Sequence, residues 1–267
     1  TKNVPKEVLP IVDRPCIEYV VSEAVAAGIE QVVFVTAEGK DALVNYFLPS
    51  PDLEKYLEQN GKVEMLETIQ EVIRLADVVS VRQDVALGLG HAVLQAKSAV
   101  GEQDFAVLLG DDIIDARKPA IGQLIEAHEP DQAVVALMQV PHEETGRYGV
   151  CAGPMLSDKQ MRVDAMVEKP APADAPSNLA IVGRYVLPAD IWTLLEETQP
   201  GAGGEIQLTD AIAKLAVQGR VRGQIFEGER FDTGNVLGLL RASIHFALKR
   251  PDLESSVRAV LDEMSHR

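Results

Sequence analysis

Several short segments place ionisable or amide side chains where an apolar run ends. The strand-like AVLL is followed by Gly110-Asp111-Asp112-Ile113-Ile114-Asp115, and carboxylates at a strand end can hold a divalent cation against substrate phosphates. Asp232, in Phe231-Asp232-Thr233-Gly234-Asn235, follows the strand-like run QIFEGE and precedes a helix. In Glu168-Lys169-Pro170 the proline stops a strand; the Lys could clamp a phosphate and the Glu could accept hydrogen bonds from sugar hydroxyls. Gln83, ahead of Gly88-Leu89-Gly90-His91, offers an amide able to pair with a base edge, beside glycines that let a ring approach the backbone. Taken singly, each segment has a plain structural alternative. Asp111 and Asp232 suit turns or helix starts, Glu168 and Lys169 an exposed ion pair, His91 a cap, and Lys6 any surface lysine. Convergence of Asp232 with Asp111 is what would mark a shared ligand site.

The elements that must position these residues follow from periodicity. Ile17, Val20, Val21, Ala24 and Val25 recur at helical spacing, with Gly28 at the capping position. QVVFVT, residues 31–36, is too apolar to be half exposed and predicts a buried strand, followed by a helix over 40–47. A charged stretch over 52–75 predicts an amphipathic hairpin. Strands at 78–81 and 105–109 bracket a helix at 91–99, so strand and helix alternate as in a parallel α/β sheet, whose ligands bind at the carboxyl ends of the strands. Strand-like segments at 133–140, 163–168 and 179–187, joined by short turns, predict an antiparallel or mixed second half. Helices return near 189–196, 208–218, 235–249 and 252–263, and the stiff PAPADAP run reads as a surface loop.

Composition narrows the function classes. The 267 residues carry 25 Lys and Arg against 41 Asp and Glu, a formal net charge of -16, which repels nucleic acid and anionic membrane. Two distant cysteines, Cys16 and Cys151, form no metal or disulfide pattern. No apolar run approaches the roughly 20 residues of a membrane span, and the first ten residues lack a signal-peptide core, so the chain reads as cytoplasmic.

In order along the chain, PKEVLPIVDRP, RQDVALGLGHAV, LLGDDIID, RYGV, VEKPAP, APSNLAIVGRYVL, GAGGEIQLTDAI and FDTGN resemble the bacterial UTP-glucose-1-phosphate uridylyltransferases. The resemblance spans residues 2 to about 250. It implies a doubly wound, Rossmann-like α/β fold of the nucleotide-diphospho-sugar transferase type, with a mixed, mainly parallel sheet flanked by helices and a small antiparallel excursion. A single domain is expected, with a nucleotide-binding half over 1–130, a sugar-phosphate-binding half over 131–235 and C-terminal helices over 236–267. By the same resemblance Gln83 and Gly88 face uracil, Lys6 the nucleotide phosphates and Lys169 the sugar phosphate. Gly149, Glu168, Asn178 and Glu205 face the sugar, and Asp111 and Asp232 bind Mg2+. Asp112 is given no ligand role. The implied partners are UTP and glucose 1-phosphate, with a homodimer or homotetramer expected. The family's G-x-G-T-R loop lies just upstream of the PKE segment, and the expectation is that this loop and its strand precede Thr1. A pyrophosphorylase for another nucleotide such as dTTP, a metal-dependent glycosyltransferase and a non-catalytic sugar-nucleotide-binding protein are the alternatives.

Overall fold

In the computed structural model, which describes residues 4–266, a 3-10 turn over Lys6–Val8 and a small hairpin, β1 (Pro10–Ile11) on β2 (Arg14–Pro15), lead into α1 (Cys16–Ala26). α1 stops at Gly28, whose φ of +89° only glycine adopts freely; the amides of Gly28 and Ile29 bond back to the carbonyls of Val25 and Ala24. β3 (Gln31–Thr36) and β4 (Asp77–Arg82) pair in parallel, so the chain between them must cross over. That crossover holds α2 (Asp41–Asn45), α3 (Pro51–Gln59) and α4 (Val63–Ile73). The last two form the expected hairpin, which buries Leu57 of α3 but no residue of α4.

The rest of the first half runs through α5 (Leu89–Gln95), α6 (Lys97–Val100), β5 (Phe105–Leu108), β6 (Asp112–Asp115) and α7 (Ala120–Ala127). Then follow β7 (Ala133–Gln139), β8 (Gly149–Ala152), β9 (Gln160–Arg162), β10 (Ala165–Glu168) and β11 (Leu179–Leu187). The chain closes with α8 (Ile191–Glu196), α9 (Leu208–Val217), β12 (Val221–Ile225), β13 (Glu229–Asp232), α10 (Val236–Leu248) and α11 (Glu254–Ser265). No helix among the described residues is long and apolar enough to cross a membrane.

The architecture is a mixed α/β sheet flanked by helices, but the expected predominance of parallel pairing is not what the strands do. The central sheet runs β10-β8-β11-β7-β12-β9, with β5 also on β11, and within it only β7 and β12 pair in parallel. The reason lies in β11. Its residues from Ala180 to Leu187 are all buried, and it runs against β5, β7 and β8 alike, so its central position reverses the sense of most pairings. Residues 112–115 differ from expectation too: they form a strand, paired antiparallel to β13 with Asp112 opposite Asp232.

One edge of β11 changes partner along its length. Leu179 and Ala180 pair with β8, whereas Arg184 to Leu187 pair with β5, and Ile181 to Gly183 lie where the two neighbours part. Behind that gap the buried Arg184 reaches Glu23 of α1 through Nε and Nη2, at 2.6–3.1 Å, and bonds the carbonyls of Gly183 at 2.8 Å and Asp112 at 2.7 Å. This pair ties the sheet to α1 and pins the main chain around Asp111. A second cleft, of about 860 Å³, lies between the strands β3 and β5 and is walled by α1 and α5. Val21, Phe34 and Val107 line its length, and Lys6, Glu7, Lys40 and Asp111 stand at one part of its wall.

Candidate active site

The parting of β5 and β8 from β11 opens a cavity of about 260 Å³. Asp111 reaches it from the turn after β5, Asp112 from the start of β6, Tyr148 and Gly149 from the start of β8, and Glu168 from the end of β10. Gln207 and Thr209 enter from the start of α9, and Arg230 and Asp232 from β13. Strand ends from both halves of the chain therefore meet at one place.

Asp111 and Asp232 converge there. Thr233 donates to the Asp111 carbonyl through its amide at 2.8 Å and its hydroxyl at 2.9 Å, joining the two segments. A Cβ added to Gly234 would stand 2.7 Å from Asp111 Oδ2 and 3.0 Å from Asp232 Oδ1. The glycine thus leaves space flanked by an oxygen of each carboxylate, a donor set suited to a hard divalent cation whose other ligands are water and phosphate. Lys6 donates to Asp111 Oδ2. Burial alone would lower the Lys6 ammonium, but the Asp111 carboxylate, with Glu7 and Asp232 nearby, outweighs it and raises it above its ordinary value.

On the opposite wall Glu168 Oε2 accepts from Thr209 Oγ1 at 2.7 Å, and Lys169 Nζ lies 3.6 Å from Glu168 Oε1. Lys169 sits at φ +46°, a left-handed conformation uncommon for a residue with a Cβ, which turns the chain sharply after the strand. A Cβ on Gly149 would stand 3.1 Å from Glu168 Oε2 and 3.2 Å from Thr209 Oγ1, so that glycine keeps the wall open. The Asp210 carboxyl is raised by burial and by the charge of Glu168. Asn178 lies just ahead of β11, where its carbonyl accepts from Val140 N at 3.0 Å; the cavity wall on that strand begins three residues beyond it, at Ile181.

The glycine loop before α5 is locked from outside. Gly88 has φ +101°, and a Cβ there would come within 2.8 Å of Glu205 Cβ and Ile206 O. Ile206 donates to Leu87 O at 2.7 Å and accepts from Gly90 N at 2.8 Å. Gln83 Nε2 is held by Gly88 O at 3.2 Å and His91 Nδ1 at 2.8 Å, which shapes the same loop. Glu205 therefore packs against the Gly88 loop and accepts from Gln207 Nε2 at 3.0 Å, on the side where Gln83 and Gly88 lie.

Three residues that spacing did not single out complete the cavity. Arg230 ion-pairs with Asp112 at 2.6 Å and lies 5.5 Å from the Tyr148 ring centroid; burial would lower its guanidinium, and Asp112 keeps it raised. Asp112 is thus a buried structural anion, which also accepts from Gly183 N at 2.9 Å. Arg147 approaches Asp232 at 3.7 Å. One signal for Arg230 was present, since it stands two residues before Asp232 and shares its strand face; nothing local marks Thr209 or Arg147.

Residues 1–248 match the nucleotidyl transferase family. A UTP--glucose-1-phosphate uridylyltransferase of Bacillus subtilis is 47% identical over 259 residues, 96% of this chain and 88% of that protein. A UTP-bound UGPase from Acinetobacter baumannii has a similar structure, with a TM-score of 0.90 and 42% identity over 98% of this chain and 92% of that one. A UDP-glucose pyrophosphorylase complexed with UDP-glucose superposes with a TM-score of 0.85 at 39% identity, covering 93% of this chain and 92% of that one.

Proposed function

The chain belongs to the nucleotidyl transferase family, and from that premise we propose that it transfers a uridylyl group from UTP to glucose 1-phosphate. An oxygen of the sugar phosphate attacks the α-phosphorus of UTP, and the bond from that phosphorus to the bridging oxygen breaks as pyrophosphate leaves. The convergence of Asp111 and Asp232, with Lys6 bonded to Asp111, at a cavity whose other wall carries Glu168 and Gly149 supports this reading.

Two polyanions must meet in a protein of net charge -16. Like unit charges ~4 Å apart cost roughly 4 kcal/mol at an effective dielectric of 20, so local cations have to offset the repulsion. Lys6 serves the nucleotide phosphates and Lys169 the sugar phosphate. Asp111 and Asp232 would hold Mg2+, which would supply positive charge to offset that of the phosphates. Glu168, oriented by Thr209, accepts from sugar hydroxyls; Gly149 and Asn178 complete that side. Gln83 and Gly88 receive the base, with Glu205 packed behind them. No general base is needed, because the attacking oxygen is already ionised at neutral pH, so the residues work by alignment and charge stabilisation.

The triphosphate side has a further support in the cleft between β3 and β5. Lys6 and Asp111 stand at its wall beside Lys40, so it brings two side-chain cations to the nucleotide side of the site. The sites fall to a nucleotide half over 1–130 and a sugar-phosphate half over 131–235, in a cytoplasmic enzyme. The exposed Val236, Leu237 and Leu240 of α10 and Val260 and Met264 of α11 supply an apolar surface for a homodimer or homotetramer.

Incubation with glucose 1-phosphate, Mg2+ and each of UTP, dTTP and ATP tests the reading. UDP-glucose and pyrophosphate should form with UTP, and Asp111→Asn should lower turnover and weaken the magnesium dependence together. No pyrophosphate from UTP, together with release of UDP when UDP-glucose is supplied instead, would make the protein a glycosyltransferase, and faster turnover of dTTP would reassign the nucleotide.

A further inference from the structure

We propose that Arg147 is a substrate-binding residue with two alternative partners: in the free enzyme it holds Asp232, and in the loaded enzyme it passes to the phosphate of the sugar phosphate. The inference rests on the uridylyl-transfer reading above.

Each of the two candidate metal carboxylates carries a side-chain cation here, Lys6 on Asp111 and Arg147 on Asp232. Arg147 contacts Asp232 Oδ2, while the other oxygen, Oδ1, accepts from Gly234 N at 3.0 Å. Its attachments are loose: 3.7 Å to Asp232 and 3.4 Å to Glu144, with the guanidinium carbon 5.7 Å from the Tyr148 ring centroid and the side chain 56% exposed. Exposed pairs of this kind hold little free energy, so a divalent cation at Asp232 can displace the guanidinium. Two monovalent side chains leave as one divalent ion arrives, and the charge around the carboxylates is conserved.

The displaced group stays beside the sugar phosphate because of its backbone. Lys169 N donates to Tyr148 O at 2.9 Å, and a Cβ on Gly146 would stand 3.3 Å from Pro170 O. The segments carrying Arg147 and Lys169 therefore run side by side, with Arg147 lining the cavity. A guanidinium presents a planar fork of N–H donors that matches two phosphate oxygens, which an ammonium does not.

The experiment compares Arg147→Ala and Arg147→Lys with the unaltered protein. Mn2+ alone, titrated into substrate-free protein and followed by electron paramagnetic resonance, should bind about two- to fivefold more tightly to Arg147→Ala, the fold-change corresponding to an exposed pair. Arg147→Lys should stay near the unaltered affinity. In turnover assays the KM for glucose 1-phosphate should rise about tenfold in Arg147→Ala, the lower range for a lost charge-assisted hydrogen bond. The KM for UTP should stay within about twofold, and Arg147→Lys should recover part of the loss. Unchanged or weaker Mn2+ binding in Arg147→Ala overturns the exchange. An unchanged KM for glucose 1-phosphate, or equal rises for both substrates, overturns the phosphate contact. An unaltered protein that makes no UDP-glucose removes the uridylyl-transfer premise and this inference with it, whereas an active one with an unaffected variant removes only Arg147.

Discussion

Breaking the buried pair between Glu23 and Arg184 tests how the candidate site is braced. The Arg184 side chain is 0% exposed and that of Glu23 7%. Glu23 Oε1 also accepts from Ile121 N at 2.9 Å, so the carboxylate anchors α7 as well as β11. Replacing one member leaves the other as an uncompensated buried charge, at about 3–5 kcal/mol. At about 2–4 °C per kcal/mol for a chain approaching this size, either Glu23→Leu or Arg184→Met should lower Tm by on the order of 10 °C. The double variant removes both charges but leaves the Ile121 amide and the Asp112 carbonyl short of partners, while Gly183 O keeps its bond from Leu109 N at 2.9 Å. The two unmet main-chain groups cost ~1–3 kcal/mol each, so the pair of substitutions should cost about 2–6 kcal/mol, below the roughly 6–10 kcal/mol of the two single losses added. Urea unfolding of the four proteins measures the cycle. Arg184→Met should also lower kcat more than Glu23→Leu, because its guanidinium bonds the carbonyls of Leu109 at 3.4 Å and Asp112 at 2.7 Å, on either side of Asp111. Single losses under about 1 kcal/mol, or a double loss equal to their sum, would refute the idea that paired charge braces this site.

Lys169→Ala should lower turnover by about 10²-fold, the scale of losing one charge-stabilising donor; near-normal kcat would remove Lys169 from the reaction. Gly88→Ala should cost about 1–3 kcal/mol and raise the KM for UTP, because its Cβ would meet Glu205 and Ile206 at 2.8 Å in a left-handed backbone. Thermal unfolding and UTP saturation check both parts, and an unchanged KM would separate the loop from the base. Burial would raise Asp115, but Lys249 and His245 outweigh it and hold its carboxyl below the ordinary 3.8. A depressed carboxylate stabilises above its unfolded value and loses that contribution as pH falls through the folded one. The stability gap between the unaltered protein and Asp115→Asn should therefore be full at pH 7 and shrink below pH 3.8; a constant gap down to pH 2 would contradict the linkage.

Local pattern was enough for much of this protein. The 3.6-residue repeat located α1 with its Gly28 stop, α9 and α10, and β-branched runs located β3, β7 and β11, because each depends on residues a few positions apart. Strand-end position likewise marked Asp111, Asp232 and Glu168, which line the cavity beside β11, and Gln83, whose amide is engaged by the Gly88 loop and His91. What local pattern could not supply was pairing. Lys6 meets Asp111 across 105 positions and Arg184 meets Glu23 across 161, and no periodicity within either segment carries that distance. The long buried run of β11 looks the same whether its neighbours are parallel or antiparallel, so only the assembled sheet decided the sense of pairing. The same assembly gave Asp112 and Asp232, opposite one another on β6 and β13, different fates. Asp112 faces inward to Arg230 and becomes structural, while Asp232 meets Asp111 at a glycine gap. The amino-acid types determined which groups could bind phosphate or cation; the packing of distant strands decided which of them meet.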